Sequence, residues 1–394
     1  MALVTYVLGD CPGCGAKESY GNVDVFRTYL YRGCKRCRYN EHVNLPVLRK
    51  KVLYLDQFFF SHAFRGGEVR FVEAADRITQ LASLQLLVVP FSSIHEDETH
   101  QWEKRDELFK FIKATARGHE FKFAFDIEQK QLNKSFQMWL QGIATDYVVN
   151  PTEALSGEVH QWDSYMRIEV GRYMGNIDLI RDLKQQSIEG LVDLFPGWRE
   201  LTTSFDDDLQ AEHAAAGKGY LDFYIQYLVR ISAGDFDAMF DAPMISMVVQ
   251  SLLRLVPETV PAEERLRNCA QFLFSDHFKA LPYQWLHAHM FASLKAMVRE
   301  GAYTNREGAL KRLSGVFYDV KHIATYAPYV DAFVMDQPMA GLVSRPTVEL
   351  ESRFGTKVFS LNNWDAFMAW LDSLEADMTQ EHRDALAIVY PRAT

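Results

Sequence analysis

Two short apolar segments, Lys51–Leu55 and Ala332–Met335, run straight into the same dipeptide, as Asp56-Gln57 and Asp336-Gln337. Their length and their Val, Leu, Tyr and Phe content read as strands covered on both faces, the pattern of a parallel sheet. In an open parallel sheet, ligands bind beyond the carboxyl ends of the strands. An aspartate stands at that end of both segments, about 280 positions apart. The chain must therefore leave the sheet for a long excursion and return to it.

After the first strand, Phe71, Val72, Ala75, Ile78, Leu81 and Ala82 recur at helical spacing. A second strand is expected from Leu84 to Pro90, and a helix from Ser92-Ser93 to about Ala116. From 126 to 264 the pattern is helical and irregular, with breaks expected at Asn150-Pro151, Pro196-Gly197, Gly217-Lys218-Gly219 and Pro261. Helices are expected over 266–278 and 284–300, then from Asp319 to Tyr326, ending before Pro328. Strands at 331–336 and 357–360 and a helix over 363–375 complete the chain. Strand–helix alternation at both ends predicts an α/β fold, a parallel sheet flanked by helices and interrupted by a long helical insertion. The expected units are a cysteine module at 1–48, the two parts of the α/β domain at 49–125 and 265–394, and the insertion at 126–264.

Of 394 residues, 48% are hydrophobic, ample for large cores. No apolar run approaches the ~20 residues that span a bilayer. Met1–Leu8 lacks the basic start of a signal peptide. A cytoplasmic protein with no membrane partner is expected. The net charge of −10 argues against a generally basic nucleic-acid binder, but it is unevenly spread. Residues 1–50 carry eight Lys/Arg against four Asp/Glu, a net of +4, which leaves −14 on the rest.

Cysteines explain the basic module. Cys11-x-x-Cys14 and Cys34-x-x-Cys37, with 19 residues between the pairs, match the four-thiolate zinc pattern of zinc ribbons. A disulfide or redox pair is the alternative. Ser19 to Tyr31 has the content of a small hairpin. Lys17, Arg27, Arg32, Lys35, Arg36 and Arg38 are available to phosphates, or serve only solubility; Arg36 and Arg38 are taken as substrate contacts. Cys269 stands alone and is expected to be a buried small residue.

Chain lengths decide which acids can meet. A helix of eight residues from Asp319 covers ~12 Å, and the strand from Asp331 to Asp336 returns ~16 Å. Asp319 and Asp336 can share one rim; Asp331, at the far end of its strand, cannot. Asp56 joins them if the strands are parallel. Glu96 stands three residues after Ser93, the capping-box spacing. Glu98 shares a helix face with His95 and Trp102 and is the preferred fourth acid. Each acid also has a plain reading, as a helix cap or a turn residue. Gathered together, they repel unless a divalent cation sits between them, and oxygen ligands suit Mg²⁺ or Mn²⁺. Elsewhere, Asp206-Asp207-Asp208 reads as a solvated turn. His287-x-His289 is two apart on a helix and makes no metal site.

Three stretches together resemble a PIN-like nuclease. They are Tyr54-Leu55-Asp56-Gln57, then Pro90-Phe91-Ser92-x-x-His95-x-x-Glu98-Thr99, then the run from Asp319 through His322, Tyr326 and Pro328 to Asp336. The resemblance spans about 51–125 and 265–380 and leaves the insertion unmatched. It implies an acidic quartet, Asp56, Glu98, Asp319 and Asp336, with Asp56, Asp319 and Asp336 holding Mg²⁺ or Mn²⁺. It further implies cleavage of RNA, less often DNA, to leave a 5′-phosphate. Ser92, His95 and His322 are assigned to substrate contact, with a core or carboxylate-orienting role as the alternative for the histidines. A non-catalytic nucleic-acid-binding or scaffold protein on the same fold is the competing expectation. The insertion is open to substrate choice, binding of a protein partner or autoinhibition, and the resemblance separately suggests a subunit of a larger complex, as in phage defence.

Overall fold

The computed structural model describes residues 2–99, 102–165, 187–238 and 243–391, with backbone alone at 243–246. Parts of the expected insertion, 166–186 and 239–242, lie outside the described residues. Strands β1 (Tyr6–Gly9), β2 (Tyr20–Val25), β3 (Tyr29–Cys34) and β4 (Asn40–Asn44) form an antiparallel sheet in chain order. Strands β5 (Lys51–Leu55), β6 (Leu87–Val88), β7 (Ala332–Val334) and β8 (Lys357–Phe359) form a second sheet, all parallel, in the order β6-β5-β7-β8.

Alternation along the central strands sorts the core into two layers. Val52, Tyr54 and Phe333 face one side, where the helices Pro282–Arg299, Val316–Tyr326 and Gln337–Val343 pack. Leu53, Leu55, Ala332 and Val334 face the other, under Gln57–Arg65, Val69–Ser83, Arg105–Ala116 and Trp364–Ala376. Both faces are therefore covered, as the continuous apolar strands require. The chain steps from β5 to β6 on one side and later enters β7 on the other. Strand order reverses between β5 and β7, where a crevice opens at the carboxyl ends.

Several local expectations differ from the structure. The second strand is only Leu87–Val88, because Gln85 adopts a left-handed conformation (φ 61°) as the chain turns out of the preceding helix. The helix expected over 93–116 is two, Ser93–Thr99 and Arg105–Ala116. Gly217-Lys218-Gly219 is no break: helix Phe205–Ser232 runs through it. Gly217 permits a close crossing there, since a Cβ would lie 2.4 Å from the Leu273 carbonyl oxygen. Asp206-Asp207-Asp208 is the first turn of that helix, not a loop. Ser204 and Asp207 form its capping box, and Asp208 is buried against Arg299 at 2.5 Å. A last helix, Gln380–Val389, lies beyond the expected end.

That helix docks the N-terminal sheet on the body. Val25 and Leu30 share a core with Leu48, Trp162, Leu386 and Val389. Beside it, Lys50 is buried and paired with Asp163 at 2.8 Å, while Arg117 lies 3.2 Å from the same carboxylate. Burial alone would raise the Asp163 pKa, but His119 and Lys50 outweigh it and hold the carboxyl well below its usual range. Asp163→Ala leaves an ammonium with 1% side-chain exposure without its counter-charge, an expected loss of about 3–5 kcal/mol. Because the folded pKa is depressed, this contribution is complete above the unfolded value of ~3.9 and is lost as pH falls below it. Urea unfolding of wild type and variant should differ widely at pH 7 and still differ at pH 3, the gap closing only as pH falls further toward the depressed folded value. Equal midpoints at pH 7 would remove the pair from the account.

Candidate functional site

The four cysteines of the N-terminal sheet come together across its knuckles. Cys11 and Cys37 sulfurs are 3.7 Å apart, those of Cys14 and Cys34 are 3.9 Å apart, and all four lie within 4.8 Å of one another. Four Zn–S bonds of ~2.3 Å at tetrahedral angles put sulfurs ~3.8 Å apart. The set therefore fits a zinc ion. Backbone amides of Arg36 and Tyr39 donate to the Cys34 and Cys37 sulfurs at 3.2 and 3.4 Å, which favours the thiolate forms. Cys269, by contrast, is buried in the helical region, and burial pushes its thiol up to about 12.

The second site lies at the strand-order reversal. Asp56 follows β5 and caps helix Gln57–Arg65, its Oδ1 accepting the Gln57 amide at 2.8 Å. Asp336 follows the adjacent β7 and caps helix Gln337–Val343, accepting the Met339 amide at 2.9 Å. Burial pushes the Asp336 carboxyl above its ordinary range, and the Met339 amide opposes this. Asp319 sits in the first turn of helix Val316–Tyr326; Gly315, not Asp319, is the N-cap. Asp56, Asp319 and His322 line one narrow pocket of about 180 Å³, its open mouth included, together with Phe333 and Met335. His322 Nδ1 lies 3.9 Å from Asp56 Oδ1. Asp331 is at the opposite end of the sheet, bound to the Val52 amide and Lys51 at 2.8 and 2.7 Å.

Glu98 and Glu96 have different charged surroundings. Burial pushes the Tyr54 hydroxyl up, and Tyr326 and the charges of Asp56 and Glu98 add to it. Glu96 is raised to about 7 by burial, with Lys113, Asp97 and Glu120 as its charged surroundings. The expected Ser93–Glu96 capping box gives way to His95, whose Nδ1 accepts the Ser92 amide at 3.1 Å. His95 Nε2 then donates to the Leu55 carbonyl at 2.8 Å, so the ring is neutral and its tautomer fixed. Burial lowers its pKa to about 4. Ser92, also buried, bonds the Tyr54 hydroxyl at 2.6 Å. Both residues lie behind the rim and tie its helix to β5 instead of facing outward. Arg36 and Arg38 are exposed on the N-terminal module.

Gln57 and Gln337 have separate duties. Gln57 Nε2 donates to Thr99 at 3.0 Å, tying the Asp56 helix to the one that carries Glu98. Gln337 bonds Asn362 at 2.6 Å. The carboxylates are less tightly gathered than the thiols. Among the described residues, the four cysteines alone bring three or more potential ligand atoms within 4.8 Å of one another. The oxygen donors of Asp56, Asp319 and Asp336 suit a hard divalent ion by chemistry, and holding one requires their side chains to swing inward.

Sequence reasoning missed a further cavity, beside helices Ala124–Leu140, Phe205–Ser232 and Pro282–Arg299. Glu128, His287, Lys321 and several aromatic rings line it. Nothing in the local sequence marks these residues, which come together only through helix packing. His287 is in this wall, whereas His289 stacks on Trp285 at 3.7 Å, so the two histidines indeed face apart. Comparisons of the chain with protein-family models, with curated proteins and with solved structures found no match.

Proposed function

We propose that the protein is a metal-dependent nuclease of the PIN-like kind, acting on RNA in preference to DNA and leaving a 5′-phosphate. The observation that carries the reading is the convergence of Asp56, Asp319 and His322 on one pocket at the strand-order reversal, with Asp336 on the neighbouring strand. Burial there disfavours an uncompensated negative charge on Asp336, so a cation or a proton is favoured beside it. Asp56, Asp319 and Asp336 would hold Mg²⁺ or Mn²⁺, and Glu98 would face the substrate from the opposite helix. Such an ion, when bound, supplies charge stabilisation and an activated water for in-line attack on phosphorus. His322 stands 3.9 Å from Asp56, and Phe333 and Met335 line the same pocket as the acids.

The zinc-binding module supports a nucleic-acid partner. Outward positions of its sheet carry Tyr29, Tyr31 and His42, where polar residues are usual, and Phe26 stacks on Tyr29 at 4.7 Å. Aromatic rings beside arginines suit unpaired bases and phosphates. The looser grouping of the acids favours, as a second reading, a non-catalytic binding protein on this scaffold. Mn²⁺ titration followed by electron paramagnetic resonance distinguishes the two. The nuclease reading expects saturable Mn²⁺ binding that Asp319→Asn weakens at least about tenfold. Mn²⁺ that stays free, or binding indifferent to Asp319 and Asp336, would leave the binding protein.

A further inference from the structure

The helix Val316–Tyr326 serves two sites. Lys321 is turned about 200° from Asp319 at 100° per residue, and it borders the cavity of about 1060 Å³, open mouth included. Phe125, Tyr220 and Tyr283 supply aromatic walls, and Phe223, also lining it, is 49% exposed. Glu128 is the one acid and Lys321 the one cation among the described lining residues. The Tyr220 hydroxyl donates to Glu128. Burial lifts Glu128 to about 7, with Lys321 opposing, and lowers His287 to about 4, which keeps that imidazole neutral.

These features select a ligand class. Aromatic walls suit a planar ring, and rings stack on bases of any sequence. A desolvated carboxylate adds selectivity, because it needs a ligand that presents hydrogen-bond donors. Guanine offers two adjacent donors, N1–H and the N2 amino group, which a carboxylate accepts as a pair. Adenine places an acceptor in the same position and leaves the carboxylate facing a lone pair. Lys321 is exposed and suits a phosphate outside the cavity. Asp319 lines the carboxylate pocket and Lys321 the cavity, so one helix borders both.

We propose that this cavity is a subsite for a guanine nucleotide, with the base between the aromatic rings, its N1–H and N2 edge on Glu128, and its phosphate at Lys321. The proposal deepens the nuclease reading and rests on it for the strand that continues from this nucleotide to the rim. It gives the helical insertion a role in choosing where the strand is cut.

The test is calorimetric titration, at about pH 8 where Glu128 is mostly ionised, of the full, zinc-loaded chain with 5′-GMP, 5′-AMP and guanosine, without added Mg²⁺ or Mn²⁺. GMP is expected to bind about tenfold or more tightly than AMP. Glu128→Gln should erase that preference. Lys321→Ala, at an exposed position, should weaken GMP toward guanosine and leave guanosine unchanged. Absence of saturable GMP binding, or a preference for GMP over AMP that survives Glu128→Gln, overturns the subsite. Binding is read without cleavage, so an inactive rim leaves this proposal standing. An active nuclease that cuts with no preference for guanine overturns the subsite alone.

Discussion

Removal of zinc, by a chelator or by Cys34→Ser, is expected to unfold the N-terminal module. The reason is the small size of its own core. Cys11, Tyr20 and Cys34 form one buried cluster, and the inner face of the sheet is covered by Trp162, Leu386 and Val389 from elsewhere in the chain. A module of about 45 residues buries too little surface to hold itself together. Structural zinc in comparable small modules contributes about 10 kcal/mol or more at neutral pH. Cys34 is buried among the four thiols, so serine there removes one ligand of the set. Elemental analysis should find about one zinc per wild-type chain and far less in Cys34→Ser. Dispersed amide resonances of β2 and β3 should collapse on chelation, while those of β5 and β7 persist. Full zinc content in Cys34→Ser, or a chelated module that keeps its dispersion, would refute the zinc assignment.

The second large effect concerns activity without stability. Asp56→Asn should reduce RNA cleavage at least about 100-fold while leaving the thermal midpoint almost unmoved. Asparagine caps a helix as well as aspartate does, so the bond from the Gln57 amide survives. Only the charge is lost, along with its value to a divalent ion and its interaction with His322 at 3.9 Å. Asp336→Asn makes the same separation, since its cap to Met339 is also neutral-tolerant. Burial raises the Asp336 pKa, so that substitution should, if anything, stabilise the protein slightly. A cap-breaking Asp56→Ala would confuse the two effects.

Much of the sheet was legible because its signals are local. β5, β7 and β8 fall where short apolar runs meet polar ends, and the arithmetic of helix and strand lengths placed Asp319 on the rim and Asp331 off it. The cysteine spacing gave the thiol cluster in the same way. Helix ends were less legible. Gly217 looked like a break because glycine usually is one; its actual cause, the Leu273 backbone close by, is a contact over more than 50 positions. The burial of Ser92 and His95 was hidden for a similar reason. Their hydrogen bonds go to Tyr54 and Leu55 in a strand that no local pattern connects to them. The Glu128–Lys321 cavity is the extreme case, assembled from five separate helices whose individual faces carry no distinctive spacing.

Cleavage of end-labelled single-stranded RNA by the purified, zinc-loaded chain tests the central claim most directly. Wild type and Asp56→Asn are compared with and without Mn²⁺, and product ends are identified. The account predicts Mn²⁺-dependent fragments bearing 5′-phosphates for wild type and almost none for Asp56→Asn. Fragments produced equally by both proteins, or no cleavage by wild type under any divalent ion, would contradict it.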